Sequence, residues 1–342
     1  MSQATDLHNS ALVIDSHNDA IVSHIRRGNQ TFSGKRTGER HNGTIAYLRG
    51  SFDREAQAQK VQINFPKMKK GGIDAAFFAV DVTRAWKNHL TYALDAFGYF
   101  EMEIAETSGD VVIAHSAQDI QIAKKNGKLA AILVVENSDG TEGSLNVLHM
   151  LFKLGVRSIG LTHNISSWAA DGNAETRSGG GLTTFGVSLV QEMNHLGMLV
   201  DVSHISEAGF WDVLEISGKP VIASHSNCKT ICAHPRNFTD DQIEALAQNG
   251  GSMGVTFVPY FVDDTTPTLE KLLNHIDHAV QLVGPNHIGI GSDFDGGGTL
   301  LDDATAFPQI TEGLLKRNYS ETDIRKILGE NHLRVLKEAL SA

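Results

Sequence analysis

Short apolar runs recur along the chain, and most of them end in a polar residue. Eight such runs cover residues 11–19, 73–82, 129–137, 156–164, 197–205, 220–227, 251–258 and 287–296. Near-continuous apolar runs of this length are typical of parallel strands that are buried on both faces. Helix-like segments separate them. The alternation predicts an α/β fold, a (β/α)8 TIM-type barrel.

The helix-like segments carry their own boundary signals. They cover residues 116–127, 183–197, 239–250, 268–284 and 320–340. The first opens on Ser116, a good N-cap, and closes on Gly127, a good C-cap. An open doubly wound sheet is the alternative, but no G-x-G-x-x-G follows the first strand. We expect one domain over residues 1–342, with a long loop, rich in glycine and basic residues, at about 27–62.

Composition narrows the class of protein. The chain has 41% apolar and 20% charged residues, as soluble globular proteins do, and its formal net charge of −11 argues against a nucleic-acid partner. Its two cysteines favour a reducing compartment over a disulfide scaffold. The first residues lack a signal-peptide pattern, and no window approaches the roughly 18 apolar residues of a membrane helix. We therefore expect a cytoplasmic protein without a membrane partner; a homodimer stays open.

Metal-competent side chains lie at the ends of six of the eight predicted strands. They are His17 with Asp19, Glu136, His163, His204, His225 and Asp293. In TIM-type barrels the carboxyl ends of the strands build the active site. Nitrogen and oxygen donors without thiolate suit zinc, with manganese, iron or cobalt as alternatives. The supply exceeds the needs of one ion, so we expect two, with Glu136 at the end of the most apolar strand as the candidate bridge.

Six short motifs in a fixed order resemble a known family. They read "DSHND", "VVEN", "LTHN", "VDVSHIS", "ASHS…HPRN" and "GSDFDG", and "GENHLRVL" follows at residues 329–336. Together they resemble the membrane (renal) dipeptidase family, peptidase M19, a branch of the amidohydrolase-type metal-dependent barrels. The resemblance implies a zinc-dependent dipeptidase whose substrates have a free C-terminal carboxylate. It also implies that a hydroxide bridging two Zn²⁺ ions attacks the carbonyl of the peptide bond.

The resemblance also implies a role for each matching residue. His17 and Asp19 would bind one zinc ion, His204 and His225 the other, and Glu136 would bridge them. His163 would contact the substrate and polarise the scissile carbonyl. The substrate's carboxylate would be held by Arg236, and Asp293 would contact the substrate and carry the proton.

Several alternatives stay open at this point. A related enzyme on the same scaffold could open amides, β-lactams or lactones, and a protein that only binds metal is a third option. Arg236 could brace its own loop by pairing with Asp240 or Asp241. Asp15, Asp81 and Asp201 are expected to support metal ligands. Asp295 is an alternate acid to Asp293, since the two share a strand face, and Trp168 is a candidate wall of the substrate pocket.

Overall fold

The computed structural model describes residues 3–27, 30–34, 60–82 and 88–341. Its strands are β1 (Ile14–Asn18), β2 (Ala75–Asp81), β3 (Val111–Ile113), β4 (Leu129–Glu136), β5 (Val156–Gly160), β6 (Leu199–Asp201), β7 (Ile222–Ser226), β8 (Ser252–Val255) and β9 (Ile288–Ile290). All strand pairs between them are parallel.

Eight of these strands close into a barrel. β1 pairs with both β2 and β9, and β2 pairs with β4 along its whole length, from Ala75 opposite Ala130 to Asp81 opposite Glu136. β3 lies outside this ring and pairs only with the first three residues of β4. The predicted (β/α)8 barrel is confirmed. β3 is a ninth strand that the apolar pattern did not reveal, because three residues are too few to show a period.

Helices follow most strands. They are α1 (Gln3–Ser10), α2 (Ala20–Arg26), α3 (Phe65–Gly71), α4 (His89–Ala105), α5 (Ala117–Lys125), α6 (Leu145–Lys153), α7 (Thr184–Leu196), α8 (Glu207–Ile216), α9 (Asp240–Gln248), α10 (Pro259–Val262), α11 (Leu269–Val283), α12 (Pro308–Lys316), α13 (Glu321–Arg325) and α14 (Asn331–Ala339). Capping residues start many of them: the Ser116 side chain accepts from Asp119 N at α5, and Thr239 with Gln242 forms a capping box at α9.

The two faces of the strands pack against different partners, as the period of two requires. Phe77 and Ala79 of β2 share a face with Ile132 and Val134 of β4, and these side chains form one apolar cluster. The alternate residues, such as Phe78, join the larger cluster that includes the helices. Since Glu136 continues the face of Ile132 and Val134, it stands on an apolar floor at the carboxyl end of the barrel.

Two expectations about domain organisation stay predictions. Most of the loop predicted at 27–62 lies outside the described residues, which resume at Lys60 and α3. The single domain over residues 1–342 is likewise an expectation from the sequence. Among the helices described, none combines the length and the apolar character that crossing a lipid bilayer requires.

Candidate metal centre and active-site cleft

The carboxyl ends of the strands open into a cleft of about 510 Å³. Its lining contains most of the site residues expected from the sequence: Asp19, Glu136, His163, His204, His225, Arg236 and Asp293. Asp81, Asn164, Arg26 and Tyr260 line it as well. His17 lies beneath them, 1% exposed, at the end of β1. The structure therefore brings together every residue that the sequence proposed as a metal ligand, as the proton carrier or as a contact of the substrate's carbonyl or carboxylate.

His17 and Asp19 enter the site from two adjacent elements, the strand β1 and the start of helix α2. β1 ends at Asn18, and Asp19 is the N-cap residue of α2, although its side chain makes no capping hydrogen bond. That side chain is free to turn into the cleft, where Asp19 Oδ2 lies 3.9 Å from His17 Nε2. One ligand atom each from His17, Asp19 and Asp293 lie within 4.8 Å of one another.

Glu136 occupies the centre of the cluster. Its Oε1 lies 3.2 Å from His204 Nε2, 3.7 Å from His225 Nε2 and 3.8 Å from His17 Nε2. These imidazoles come from β1, β7 and the loop after β6, so a single carboxylate oxygen reaches side chains from across the barrel. A carboxylate in this position has the geometry to join two groups of ligands.

Neighbouring acceptors hold the protons of two histidines away from the centre. His204 Nδ1 lies 2.8 Å from Asn164 Oδ1, and His225 Nδ1 lies 2.9 Å from the hydroxyl of Ser224, which donates its own proton to Asp201. Both imidazoles therefore carry hydrogen on Nδ1. Their Nε2 atoms, 2.8 Å apart, then meet as two lone pairs, an arrangement that a shared cation stabilises.

Burial and crowding of charge also favour a cation. Burial and the charge of Asp19 raise the pKa of Glu136 well above its usual value. Burial lowers the pKa of His17, but Glu136, Asp19 and Asp293 outweigh it and raise that pKa to about 10. Within the described residues His17 Nε2 and Asp19 Oδ1 are buried without a hydrogen-bond partner. A nitrogen and oxygen donor set of this kind fits divalent metal ions, zinc in particular.

Asp293 enters the cleft on a left-handed backbone. It lies three residues beyond β9 with φ 59°, and His204 and Asp295 also have positive φ, at 67° and 64°. The loop is fixed by Asp293 N donating to His17 O and by the amides of Gly296, Gly297 and Gly298 donating to Asp293 O. Burial, then the charge of Asp19, raises the pKa of the Asp293 carboxyl to about 7.

His163 and Arg236 flank the cluster on the β6 and β7 side. The His163 ring stacks on His204 with centroids 4.2 Å apart, and burial lowers the pKa of His163. Arg236 is only 4% exposed, and its Nη2 donates to His225 O at 3.0 Å. Its Nε is buried and, among the described residues, has no partner.

The contacts of Asp240 do not support the alternative in which Arg236 braces its own loop. Asp240 binds the Thr230 hydroxyl at 3.0 Å and His278 Nε2 at 2.8 Å. Neither it nor Asp241 forms an ion pair with Arg236 in the described part of the chain. The guanidinium instead lies 5.5 Å from the Phe261 ring centroid, at the wall of the cleft.

Two of the expected supporting acids do support the site. Asp201 accepts hydrogen bonds from Ser203 N and Ser224 N in addition to the Ser224 hydroxyl, so it fixes the group that orients His225. Asp15 accepts from Ser292 N and Ser292 Oγ, both at 2.7 Å, and thereby ties β1 to the segment that carries Asp293. It acts on the backbone, not on the imidazole of His17.

Asp295, the alternate acid expected from the sequence, also borders the cleft, but its carboxylate is paired with other groups. Its side chain is fully buried and lies 2.5 Å from Arg27 Nη1, and the amides of Gln62 and Ile63 donate to it. The proposed pocket wall Trp168 is 57% exposed and does not line the cleft.

Sequence reasoning missed Asn164 and Ser224, which set the tautomers of His204 and His225. Both stand inside motifs already recognised, "LTHN" and "ASHS", next to His163 and His225. Their adjacency to a histidine was the available signal, but spacing does not reveal which ring nitrogen a neighbour will meet.

Comparison with known proteins agrees with the geometry of the cleft. The model of the family described as membrane dipeptidase (peptidase family M19) matches residues 1–342. The chain belongs to this family. The dipeptidase verJ of Clonostachys rogersoniana is 41% identical over 228 residues, which cover 66% of this chain and 59% of that protein. The match thus spans less than two thirds of that relative's length.

Solved structures of metallopeptidases share the fold. One is a metallopeptidase from Rhodobacter sphaeroides liganded with a phosphinate mimic of the dipeptide L-Ala-D-Ala; it has a TM-score of 0.83 and 25% identity, with 96% of this chain and 99% of that chain covered. A second is a dipeptidase of family M19, with a TM-score of 0.84 and 26% identity, covering 97% and 100%. The M19 assignment expected from the motifs is confirmed.

Proposed function

We propose that this protein is a zinc-dependent dipeptidase that hydrolyses the peptide bond of dipeptides with a free C-terminal carboxylate. The observation that carries the proposal is the buried guanidinium of Arg236 beside a cluster of metal-competent side chains; its Nε has no partner within the described residues. The phosphinate dipeptide mimic bound by the Rhodobacter sphaeroides relative supports a substrate of this size.

Two zinc ions per chain fit the donor set. His17 and Asp19 would hold one, His204 and His225 the other, and the central oxygen atoms of Glu136 would serve both. Bound zinc supplies Lewis acidity, which lowers the pKa of water to near neutrality and polarises a carbonyl. The lone pairs at His204 Nε2 and His225 Nε2 support this assignment, since their protons are held at Nδ1.

The protein's own side chains supply the remaining chemistry. Asp293, whose pKa burial raises to about 7, accepts the proton of the attacking water and passes it to the leaving amine. General acid–base transfer of this kind contributes roughly 10²–10⁴-fold. His163 donates a hydrogen bond to the carbonyl oxygen as it gains negative charge, a contribution of about 3–4 kcal/mol for an oxyanion donor.

Arg236 orients the substrate. A guanidinium binds a carboxylate bidentately, and this pairing holds the scissile carbonyl at a fixed distance from the cluster. A third residue attached to the substrate would occupy the place of the carboxylate, so a longer peptide fits poorly. The same argument separates a dipeptidase from a broader amide, β-lactam or lactone hydrolase, which needs no carboxylate at this distance.

The test compares wild type with Arg236→Met on a dipeptide, its C-terminal amide and the matching tripeptide. A hydrogen bond to a charged group contributes about 1.5–3 kcal/mol, so the variant should lose roughly 10–150-fold in kcat/KM on the dipeptide. The loss should be much smaller on the amide. Arg236→Lys, which keeps the charge but not the planar fork, is the matched control. Equal wild-type rates on all three substrates would refute the proposal in favour of the broader hydrolase.

A further inference from the structure

Helix α2 lies along one wall of the cleft and presents a stripe of three residues to it. Asp19 at its N-cap, Val22 and Arg26 all line the cleft. Residues three, four and seven positions apart lie on one face of an α-helix. Seven residues correspond to a rise of about 10 Å, so the stripe leads from a candidate metal ligand, past an apolar contact, to a guanidinium farther out.

Arg26 points back toward the cluster and keeps a donor open. Helical side chains lean toward the N-terminus of their helix, here toward Asp19. Asp19 and Arg26 border the same cleft. Arg26 Nη2 is nevertheless buried and without a partner among the described residues.

The neighbouring residue, Arg27, has a structural role and serves as a comparison for Arg26. Arg27 Nη1 lies 2.5 Å from Asp295 Oδ1, and the pair is almost completely buried. It does not line the cleft. The two consecutive arginines at the end of α2 thus differ. Arg27 holds the loop that follows β9, while Arg26 borders the cleft with a hydrogen-bond donor that has no partner in the described part of the chain.

Arg26 and Arg236 stand at different sides of the barrel. Arg26 follows β1 and Arg236 follows β7, and in the ring β8 and β9 separate these strands. Two guanidiniums at different ends of one small cleft can bind two anionic groups of one ligand.

We propose that Arg26 is a specificity-determining residue that binds a side-chain carboxylate on the amino-terminal residue of the substrate. The inference rests on the proposed dipeptidase function, in which Arg236 takes the C-terminal carboxylate. Arg26 is then left to contact the amino-terminal residue of the dipeptide. The spacing along α2 favours a long acidic side chain whose methylenes pass Val22, so the preferred substrate class is Glu-Xaa dipeptides, with Asp-Xaa second.

The test uses Glu-Ala, the isosteric Gln-Ala and the cationic Lys-Ala, with alanine in whichever configuration wild type cleaves faster. Wild type should prefer Glu-Ala. Arg26→Gln should lower kcat/KM for Glu-Ala by roughly 10–150-fold, mainly through KM, and leave Gln-Ala within about threefold. Arg26→Lys should retain part of the preference. Lys316→Gln, which removes an exposed charge on α12, is the control for net charge.

Two further measurements separate a specificity role from a structural one. Metal content of Arg26→Gln should equal that of wild type, and the pair Ala-Glu and Ala-Gln should be unaffected by the substitution. Equal losses on Glu-Ala, Gln-Ala and Lys-Ala, a preference for Lys-Ala, or an effect confined to Ala-Glu would overturn the assignment of Arg26. Cleavage of dipeptides without any acid preference would overturn it alone, whereas no cleavage of any dipeptide would also overturn the proposed function.

Discussion

Asp295 and Asp293 are two residues apart, but their carboxylates have different surroundings. The side chain of Asp295 is fully buried, lies 2.5 Å from Arg27 Nη1 and accepts hydrogen bonds from the amides of Gln62 at 3.0 Å and Ile63 at 3.2 Å. Substitution by asparagine removes the charge that compensates Arg27. It also places an amide NH₂ against groups that already donate. We therefore expect Asp295→Asn to destabilise the protein while retaining most of its kcat.

The size of the effect follows from the burial of the pair. Breaking a buried ion pair by removing one partner costs about 3–5 kcal/mol, because the remaining charge is left uncompensated. Arg27 is 10% exposed and Asp295 0% at the side chain, so solvent offers little compensation. Asparagine keeps the volume and one acceptor, which places the expected loss near the lower end, about 3 kcal/mol.

A double-mutant cycle measures this value. The unfolding free energies of wild type, Asp295→Asn, Arg27→Met and the double variant are compared by denaturant titration with saturating metal. The double variant should lose less than the sum of the two single losses, since each removes the same interaction. Additive losses below about 1 kcal/mol each would refute the structural role. A collapse of kcat with unchanged stability would make Asp295 the catalytic acid after all.

Three further substitutions test proton transfer, metal binding and the pH dependence of stability. Asp293→Asn should keep its fold and metal content and lose roughly 10²–10⁴-fold in kcat; metal loss in elemental analysis would argue for a ligand instead. Glu136→Gln should lower metal content below two ions per chain together with kcat, because a neutral amide bridges two cations poorly. His332 is fully buried beside Ser252, and burial lowers its pKa to about 4. Since the unfolded chain binds this proton at about pH 6.5 and the folded chain does not, wild type should lose about 3 kcal/mol of stability between pH 6.5 and 4 that His332→Asn does not lose; equal losses in both would contradict the assignment.

The sequence predicted the barrel and the side chains that meet at its carboxyl end, because both depend on local patterns. Eight apolar runs separated by helical segments leave few topologies, and parallel strands bring their carboxyl ends together. Any metal-competent residue at such an end is then close to the others. His204 shows the strength of the argument: β6 ends at Asp201, three residues earlier, yet the imidazole still reaches 3.2 Å from Glu136.

The sequence could not predict the partners of side chains that lie just beyond the end of a strand or helix. Asp293 and Asp295 would share a face on a continuing strand, but β9 ends at Ile290 and both residues adopt positive φ, so the period of two no longer applies. Arg26 and Arg27 pose the same problem at the end of α2. Which of two adjacent side chains finds a buried partner is decided by the loop that packs against them, and the pattern of residues does not contain that information.

The left-handed backbone at His204, Asp293 and Asp295 sets a limit on how the stability of this protein can be improved. Non-glycine residues in this region cost of order 1–3 kcal/mol when the surroundings enforce it, and glycine would relieve that cost. A library selected only for thermal tolerance or expression would therefore enrich glycine at these three positions and lose turnover on the way. Directed evolution of this scaffold has to select for folding and activity together, and the safe gains in stability lie in the helices, away from the rim.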